Sequence, residues 1–110
     1  MVRHRNHLAV WSAAAQALVK GTTTAGAYDF SAGPGQAYGA GALKPEGGVH
    51  VAWGGDVNQD GVVDFLDRNV TWNNRGLPGY LSSDCDGSGL TDGTDYGLVL
   101  ANRLRISQRP

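Results

Sequence analysis

Two stretches of this chain place oxygen-bearing side chains at a spacing suited to wrapping one cation. The first carries Asp56, Asn58, Asp60, Asp64 and Asp67, and the second carries Asp84, Asp86, Ser88, Asp92 and Asp95. Numbered from Asp56 and from Asp84, these residues fall at positions 1, 3, 5, 9 and 12 of a twelve-residue loop, with Gly61 and Gly89 at position 6. Alternate residues at 1, 3 and 5 can turn their oxygens inward, and a glycine at 6 permits the sharp reversal that follows. The residue at 7, Val62 or Leu90, offers a backbone carbonyl, and positions 9 and 12 close the shell. All the donors are hard oxygens, which suits calcium and disfavours zinc or copper.

This is the spacing of an EF-hand-type calcium loop, and the chain holds it twice at an interval of 28 residues. The expected metal ligands are therefore Asp56, Asn58, Asp60, Val62, Asp64 and Asp67 for one Ca2+, and Asp84, Asp86, Ser88, Leu90, Asp92 and Asp95 for a second. Ser88 stands where the first loop has Asp60, and Gly87 and Gly93 add freedom, so the first site is expected to bind the tighter. Eight of the ten acidic residues lie in the two loops, and only Asp29 and Glu46 lie elsewhere. So dense a cluster of negative charge is hard to fold without cations.

The elements that must hold these loops are short. At 110 residues with 17 glycines, the chain reads as one ordinary domain or two very small ones, rich in turns. A helix is expected after each loop. The first has Leu66, Val70 and Asn73 along one side and a stop at Asn74-Arg75-Gly76; the second is Thr94–Asn102, with Leu98, Leu100 and Ala101 inward. Val63 and Thr91, at position 8, are expected to join the loops by a short antiparallel bridge. The tail, with Leu104 and Ile106 at strand spacing, could pair with the first half.

Ahead of the loops, Val2–Val10 alternates like a strand, which would turn His4 and His7 to opposite faces and keep them from one ion. The competing reading of the same stretch is a secretory signal peptide, with Arg3 and Arg5, an apolar run over Leu8–Val19 and a cleavage site near Ala25-Gly26-Ala27. Ala17–Val19, Ala27–Phe30 and Val49–Trp53 are further strand expectations, separated by breaks at Gly21–Thr24, Ser31–Gly35 and Gly39 through Gly48. Trp11, Phe30 and Trp53 are expected core anchors. The fold class is α+β: short strands in residues 1–54, the edge or remnant of a β-sandwich, then two loop–helix units in residues 55–110.

Several functions are disfavoured. A net charge of −1 argues against nucleic acid, and no apolar run approaches the ~20 residues of a membrane span. The single Cys85 can form no internal disulfide and has neither a His nor a second Cys beside it in sequence. No nucleophile–base pair stands out, and Asp29 with Glu46 is a weak pair for glycoside hydrolysis, so an enzyme is not expected.

Neither loop is preceded by an amphipathic helix, and both end in Asp at position 12. The stretches Gly55–Asp67 and Gly79–Asp95, about half the chain, together with one helix per loop, resemble the dockerin domain. The segments Val2–Leu8, Tyr28–Phe30 and Gln36–Gly39 are similar to what precedes dockerin-like repeats near the C-terminus of large secreted bacterial proteins. The resemblance implies a non-catalytic, monomeric module, extracellular or on the cell surface, that folds on calcium and docks to a cohesin-like partner or surface scaffold. Polysaccharide breakdown would be its context. It also implies contact through loop positions 10 and 11, which are Phe65 and Leu66 in one copy and Gly93 and Thr94 in the other, so the copies present unlike surfaces. The alternative is a purely structural terminal module, with calcium as a staple of the fold.

Overall fold

Gly47 and Gly48 adopt φ of +56° and +88°, the left-handed pair that a two-residue type I′ turn needs. They close a hairpin of β1 (Leu43–Glu46) and β2 (Val49–Ala52), antiparallel, with Leu43 opposite Ala52 and Glu46 opposite Val49. This computed structural model describes residues 1–16 and 28–110, and among these the hairpin is the one sheet. The Gly39–Gly48 stretch, read from its glycines as a break, therefore contains β1. Pro45 is tolerated there because a two-stranded hairpin has outer edges that need no ladder donor.

Two helices follow, α1 (Phe65–Asn73) and α2 (Gly93–Asn102), and they pack on each other. The coarse α+β expectation holds. The strand expected over Val2–Val10 is replaced by a turn at Arg5-Asn6 that folds the segment back, leaving isolated bridges Val2–Val10 and His7–Gly54. Phe30 begins a short 3-10 turn, Phe30–Ala32, in place of the end of a strand. The strand expectation at Ala17–Val19 and the break at Gly21–Thr24 lie outside the described residues, as do Ala27 and the proposed cleavage site.

Among the described residues, burial is divided between two small apolar clusters. Leu8, Val57, Val63, Cys85 and Val99 form one, with Trp53, Val70 and Leu98 against it; Val10, Ala37, Ala42 and Leu43 form the other, with Phe30 and Ala52. Trp53 and Phe30 thus flank the core as partly buried residues. In α2 the fully buried apolar residue is Val99; Leu98 packs against the core as expected, Leu100 is half-buried, and Ala101 is exposed. Leu8 shares its cluster with residues of both loops, and the Leu8 N–H donates to the Trp53 carbonyl at 2.8 Å and Gly55 N–H to the Asn6 carbonyl at 2.8 Å. The Asn6–Leu8 segment is thereby packed onto the loop region.

Most of what the helices bury is polar: Asp67 and Thr71 from α1, and Asp95 and Asn102 beside Val99 from α2. A buried carboxylate is tolerable only with donors around it, so the fold depends on how those donors are arranged.

Candidate metal centre

The helices begin where the loops end because the same residues serve both. Asp64 is the N-cap of α1 and Asp92 of α2, each accepting from the N–H two residues on, Leu66 at 2.8 Å and Thr94 at 2.7 Å. Loop position 12 is the third residue of each helix, and its carboxylate reaches back to the cap N–H, giving two capping boxes. Both Asp67 and Asp95 are fully buried. Asp67 accepts from Val57 N–H at 2.7 Å, Asn58 N–H at 3.1 Å and Asp64 N–H at 2.8 Å. Asp95 repeats the set with Cys85 at 2.7 Å, Asp86 at 3.1 Å and Asp92 at 2.7 Å. A carboxylate has about four lone-pair sites; three N–H donors leave one for a cation.

The repetition extends beyond the loops. Val63 N–H donates to the Arg105 carbonyl at 2.9 Å, and the Val63 carbonyl accepts from Leu104 N–H at 2.8 Å. Thr91, 28 residues later, donates to the Leu77 carbonyl at 3.0 Å and accepts from Gly76 N–H at 2.8 Å. Ser107 N–H to Gly61 carbonyl, 2.8 Å, is matched by Gly79 N–H to Gly89 carbonyl, 2.9 Å. Position 8 of each loop therefore pairs with the segment that follows the other helix. The expected direct Val63–Thr91 bridge is replaced by this crossed arrangement, and the tail pairs with the first loop. Asn102 and Asn74 complete the exchange: Asn102 Nδ2 donates to the Gly54 carbonyl at 2.9 Å, before loop one, and Asn74 Nδ2 to Ser83 Oγ at 3.0 Å, before loop two.

Inside loop one, Asp56 Oδ2 accepts from Gly61 N–H at 3.2 Å, whereas Oδ1 is buried and has no hydrogen-bond partner. Burial, then the nearby Asp67 carboxylate, pushes the Asp56 carboxyl up to about 6. Burial also raises Asp67, against the three N–H bonds that pull it down. Asn58 Oδ1 accepts from Asp60 N–H at 2.9 Å while its Nδ2 donates to Asp60 Oδ2 at 2.9 Å. In loop two, carboxylate oxygens of Asp84, Asp86 and Asp95 lie within 4.8 Å of one another. Two oxygens each ~2.4 Å from one calcium ion can be at most about that far apart. Ser88 Oγ donates to the Leu90 carbonyl at 3.1 Å, so two of the expected ligands of this loop satisfy each other. Gly61 and Gly89 have φ of +91° and +89°, the left-handed reversal expected at position 6.

The donor set suits a hard divalent cation in chemistry, and the buried Asp56 Oδ1 is an acceptor that such an ion would satisfy. Residues outside the loops also reach them. Asn6, 1 % exposed, donates from Nδ2 to the Asp84 carbonyl at 2.7 Å. Arg5 stacks 3.5 Å over the Tyr80 ring and brings its guanidinium within 3.8 Å of Asp84 Oδ2. Nothing in the sequence marks Asn6 or Arg5 for this role, because the partner lies almost 80 residues on. His4 and His7, expected on opposite faces, instead come together at the turn, with Nδ1 atoms 3.0 Å apart. Burial, then His4 and Arg5, holds the His7 imidazole below its usual range.

The remaining titratable groups fit quieter roles. The Cys85 thiol, buried, is pushed up to about 12 by burial first and then by Asp95 and the other loop carboxylates, so at neutral pH it is a protonated, poor nucleophile. Asp29 accepts from Ser31 N–H at 2.8 Å and Ser31 Oγ at 2.6 Å, which lowers its carboxyl, and Glu46 pairs with Lys44 across exposed surface. No helix among the described residues is long and apolar enough to cross a membrane.

Searches against protein-family models, curated proteins and solved structures found no match to this chain. The described residues define an α+β protein with a two-stranded antiparallel sheet and two helices, in which acidic loops cap the helices.

Proposed function

We propose that the chain is a calcium-organised, non-catalytic interaction module of dockerin type, binding two Ca2+ through the acidic loops and presenting α1 and its neighbours to another protein. The observation that carries this reading is the exchange of equivalent hydrogen bonds between two equivalent loops, the second of which brings carboxylate oxygens of Asp84, Asp86 and Asp95 within 4.8 Å of one another. A repeat of accidental acidic turns would have no reason to reproduce the pairing of the flanking segments.

An exposed apolar surface supports the docking part. Phe65 and Leu66 are 60 % and 44 % exposed, and Leu104 is 81 % exposed. Phe65, Val99, Leu100 and Leu104 line a shallow pocket of about 240 Å3, with Arg68 and Arg103 also on its wall. The equivalent of Phe65 in the second copy is Gly93, so the two ends of the helix pair differ and docking would use one orientation. A cohesin-like or scaffold partner, and an extracellular or cell-surface setting with millimolar calcium, follow from the same reading.

The structural alternative draws on a different observation: Arg5 and Asn6 hold the Asp84 carbonyl, tying loop two to the N-terminal segment. Calcium would then act as a staple alone. A free ion concentration of about a thousand times Kd contributes roughly 4 kcal/mol per site. Calcium titration followed by circular dichroism, melting temperature and native mass spectrometry tests both readings. Two ions bound, with a melting temperature lowered by chelator, are expected. A chain equally folded and equally stable in chelator, with no ion bound, would refute them. Calorimetry against cohesin-type domains separates docking from stapling.

A further inference from the structure

We propose that His4, Asn6 and His7 form a three-donor site for one nitrogen-preferring divalent transition ion, of the zinc, nickel or copper kind, separate from the acidic loops. His4 Nδ1 lies 3.0 Å from His7 Nδ1, and Asn6 Oδ1 lies 2.9 Å from the first and 2.7 Å from the second. Three donors on one face of an octahedral ion, each about 2.1 Å from the metal and at right angles to one another, stand about 3.0 Å apart. The triangle formed here has that size.

The triangle is built by the backbone and held from behind. A turn at Arg5-Asn6 brings residues 4 and 7 together, with His7 N–H 3.4 Å from the His4 carbonyl. The imidazole rings meet edge to face at 4.8 Å between centroids. Asn6 is 1 % exposed, and its Nδ2 is committed to the Asp84 carbonyl at 2.7 Å, so the amide must turn Oδ1 toward the imidazoles. Gly55 N–H fixes the Asn6 carbonyl at 2.8 Å and Leu8 N–H is bound to Trp53. Little reorganisation is left for binding to pay.

Protons alone satisfy the three atoms poorly. If both Nδ1–H groups donate to Oδ1, two N–H groups crowd each other at 3.0 Å with no acceptor between them. If one ring instead carries its proton on Nε2, one of the three contacts loses its hydrogen bond. A cation accepts all three lone pairs at once. The Arg5 guanidinium, next in sequence to His4, is turned toward Asp84 and the Tyr80 ring. His4 is exposed and borders a surface pocket with Tyr80 and Gly87, which leaves room for waters to complete the shell.

The test uses the full chain saturated with calcium, so that the loop carboxylates are occupied, titrated with Ni2+ and with Zn2+ by calorimetry. One equivalent is expected, with affinity at least tenfold weaker in His4→Ala and unchanged in His50→Ala, and with the calcium-loaded melting temperature unchanged in both. Electron paramagnetic resonance of the Cu2+ form should show two imidazole nitrogens in the parent chain and one in His4→Ala. Absence of binding in calcium-saturated protein, or binding indifferent to His4→Ala, would overturn the assignment. So would Cu2+ spectra with oxygen donors alone, since the ion would then sit in the loops.

Discussion

Position 12 and position 5 of a loop can both be called ligands, yet the structure gives them different work, and a pair of substitutions separates the two. Asp67 is fully buried and holds three N–H groups that have no other partner in the loop, whereas Asp60 is exposed. Asp67→Ala is expected to destabilise the chain by about 3–5 kcal/mol even in chelator, because buried donors lose their acceptor. Asp60→Ala should cost under about 1 kcal/mol in chelator while weakening calcium at the first site about tenfold or more. Chemical denaturation in chelator, paired with calcium calorimetry, reads both. The Asp56 carboxyl, raised by burial to about 6, makes a second prediction. A carboxyl with a folded pKa above its unfolded value of 3.8 gives stability that is complete below 3.8 and lost as pH rises through about 6. Chelated protein should therefore melt higher at pH 5 than at pH 7, by a contribution of at most about 1.3 kcal/mol from this group. Asp67 acts with the same sign. Calcium, which needs the ionised carboxylate, should reverse the trend, its affinity falling as pH drops through 6. A chelated protein that melts lower at pH 5 would show that Asp56 is not held in this desolvated state.

Between residues and molecule stand the loop–helix units, and their non-identities are as informative as their match. The described chain has two non-glycine residues with positive φ, Gln59 at +63° and Leu104 at +69°. Their equivalents 28 positions away are Gly87 at +75° and Gly76 at +81°, residues that adopt such angles without penalty. Gln59 has a visible reason to be there: its Nε2 donates to the His4 carbonyl at 2.8 Å and its carbonyl accepts from Arg3 at 2.7 Å. The Leu104 side chain is 81 % exposed, and the one bond the residue contributes, from its N–H to the Val63 carbonyl at 2.8 Å, is one that a glycine would make as well. Leu104→Gly is expected to leave stability unchanged or raise it by up to about 1 kcal/mol, since relief of the left-handed leucine outweighs the added freedom of the unfolded chain. If Leu104 serves the proposed docking surface, the same change weakens partner binding. Loss of more than about 1 kcal/mol of stability would place the side chain in the core instead. The elements themselves were unequally legible. The helices were legible from their place after each loop and from the stop at Asn74-Arg75-Gly76, while the spacing that assigned Asp64 and Asp92 to an ion hid their role as helix caps. Strand β1 was hidden by Pro45 and the surrounding glycines, and the strand expected at Val2–Val10 failed because its alternation was overridden by the turn that lets Asn6 reach Asp84. Nothing local encodes a contact across 78 residues.

At the scale of the whole molecule, the unit proposed to bind an ion is larger than the twelve residues that carry the expected ligands. Sequence spacing suggests a ligand order, but the crossed pairing depends on segments after each helix, which contain none of the expected ligands. Leu104, Arg105 and Ser107 complete the backbone bonds of the first loop, just as Gly76, Leu77 and Gly79 complete those of the second. Arg105 also stacks 3.9 Å over the Trp53 ring, and the Gln108 side chain lies against Gly39, so the tail fastens the hairpin region to the loops. Removal of residues 104–110 leaves all twelve expected ligands in place. It is nevertheless expected to abolish the first calcium site, because the Val63 N–H and carbonyl and the Gly61 carbonyl lose their partners and the turn around position 6 loosens. The second site, whose partners lie between the helices, should persist. Native mass spectrometry across a calcium series should then show one ion in place of two, and adding Asp84→Ala to the truncated chain should remove that ion as well. Two ions on the truncated chain would mean that each loop is self-sufficient and that the crossed pairing serves packing alone. Loss of both together would mean that the two sites fold as one cooperative unit, with the shared cluster of Val57, Val63, Cys85 and Val99 as the link between them.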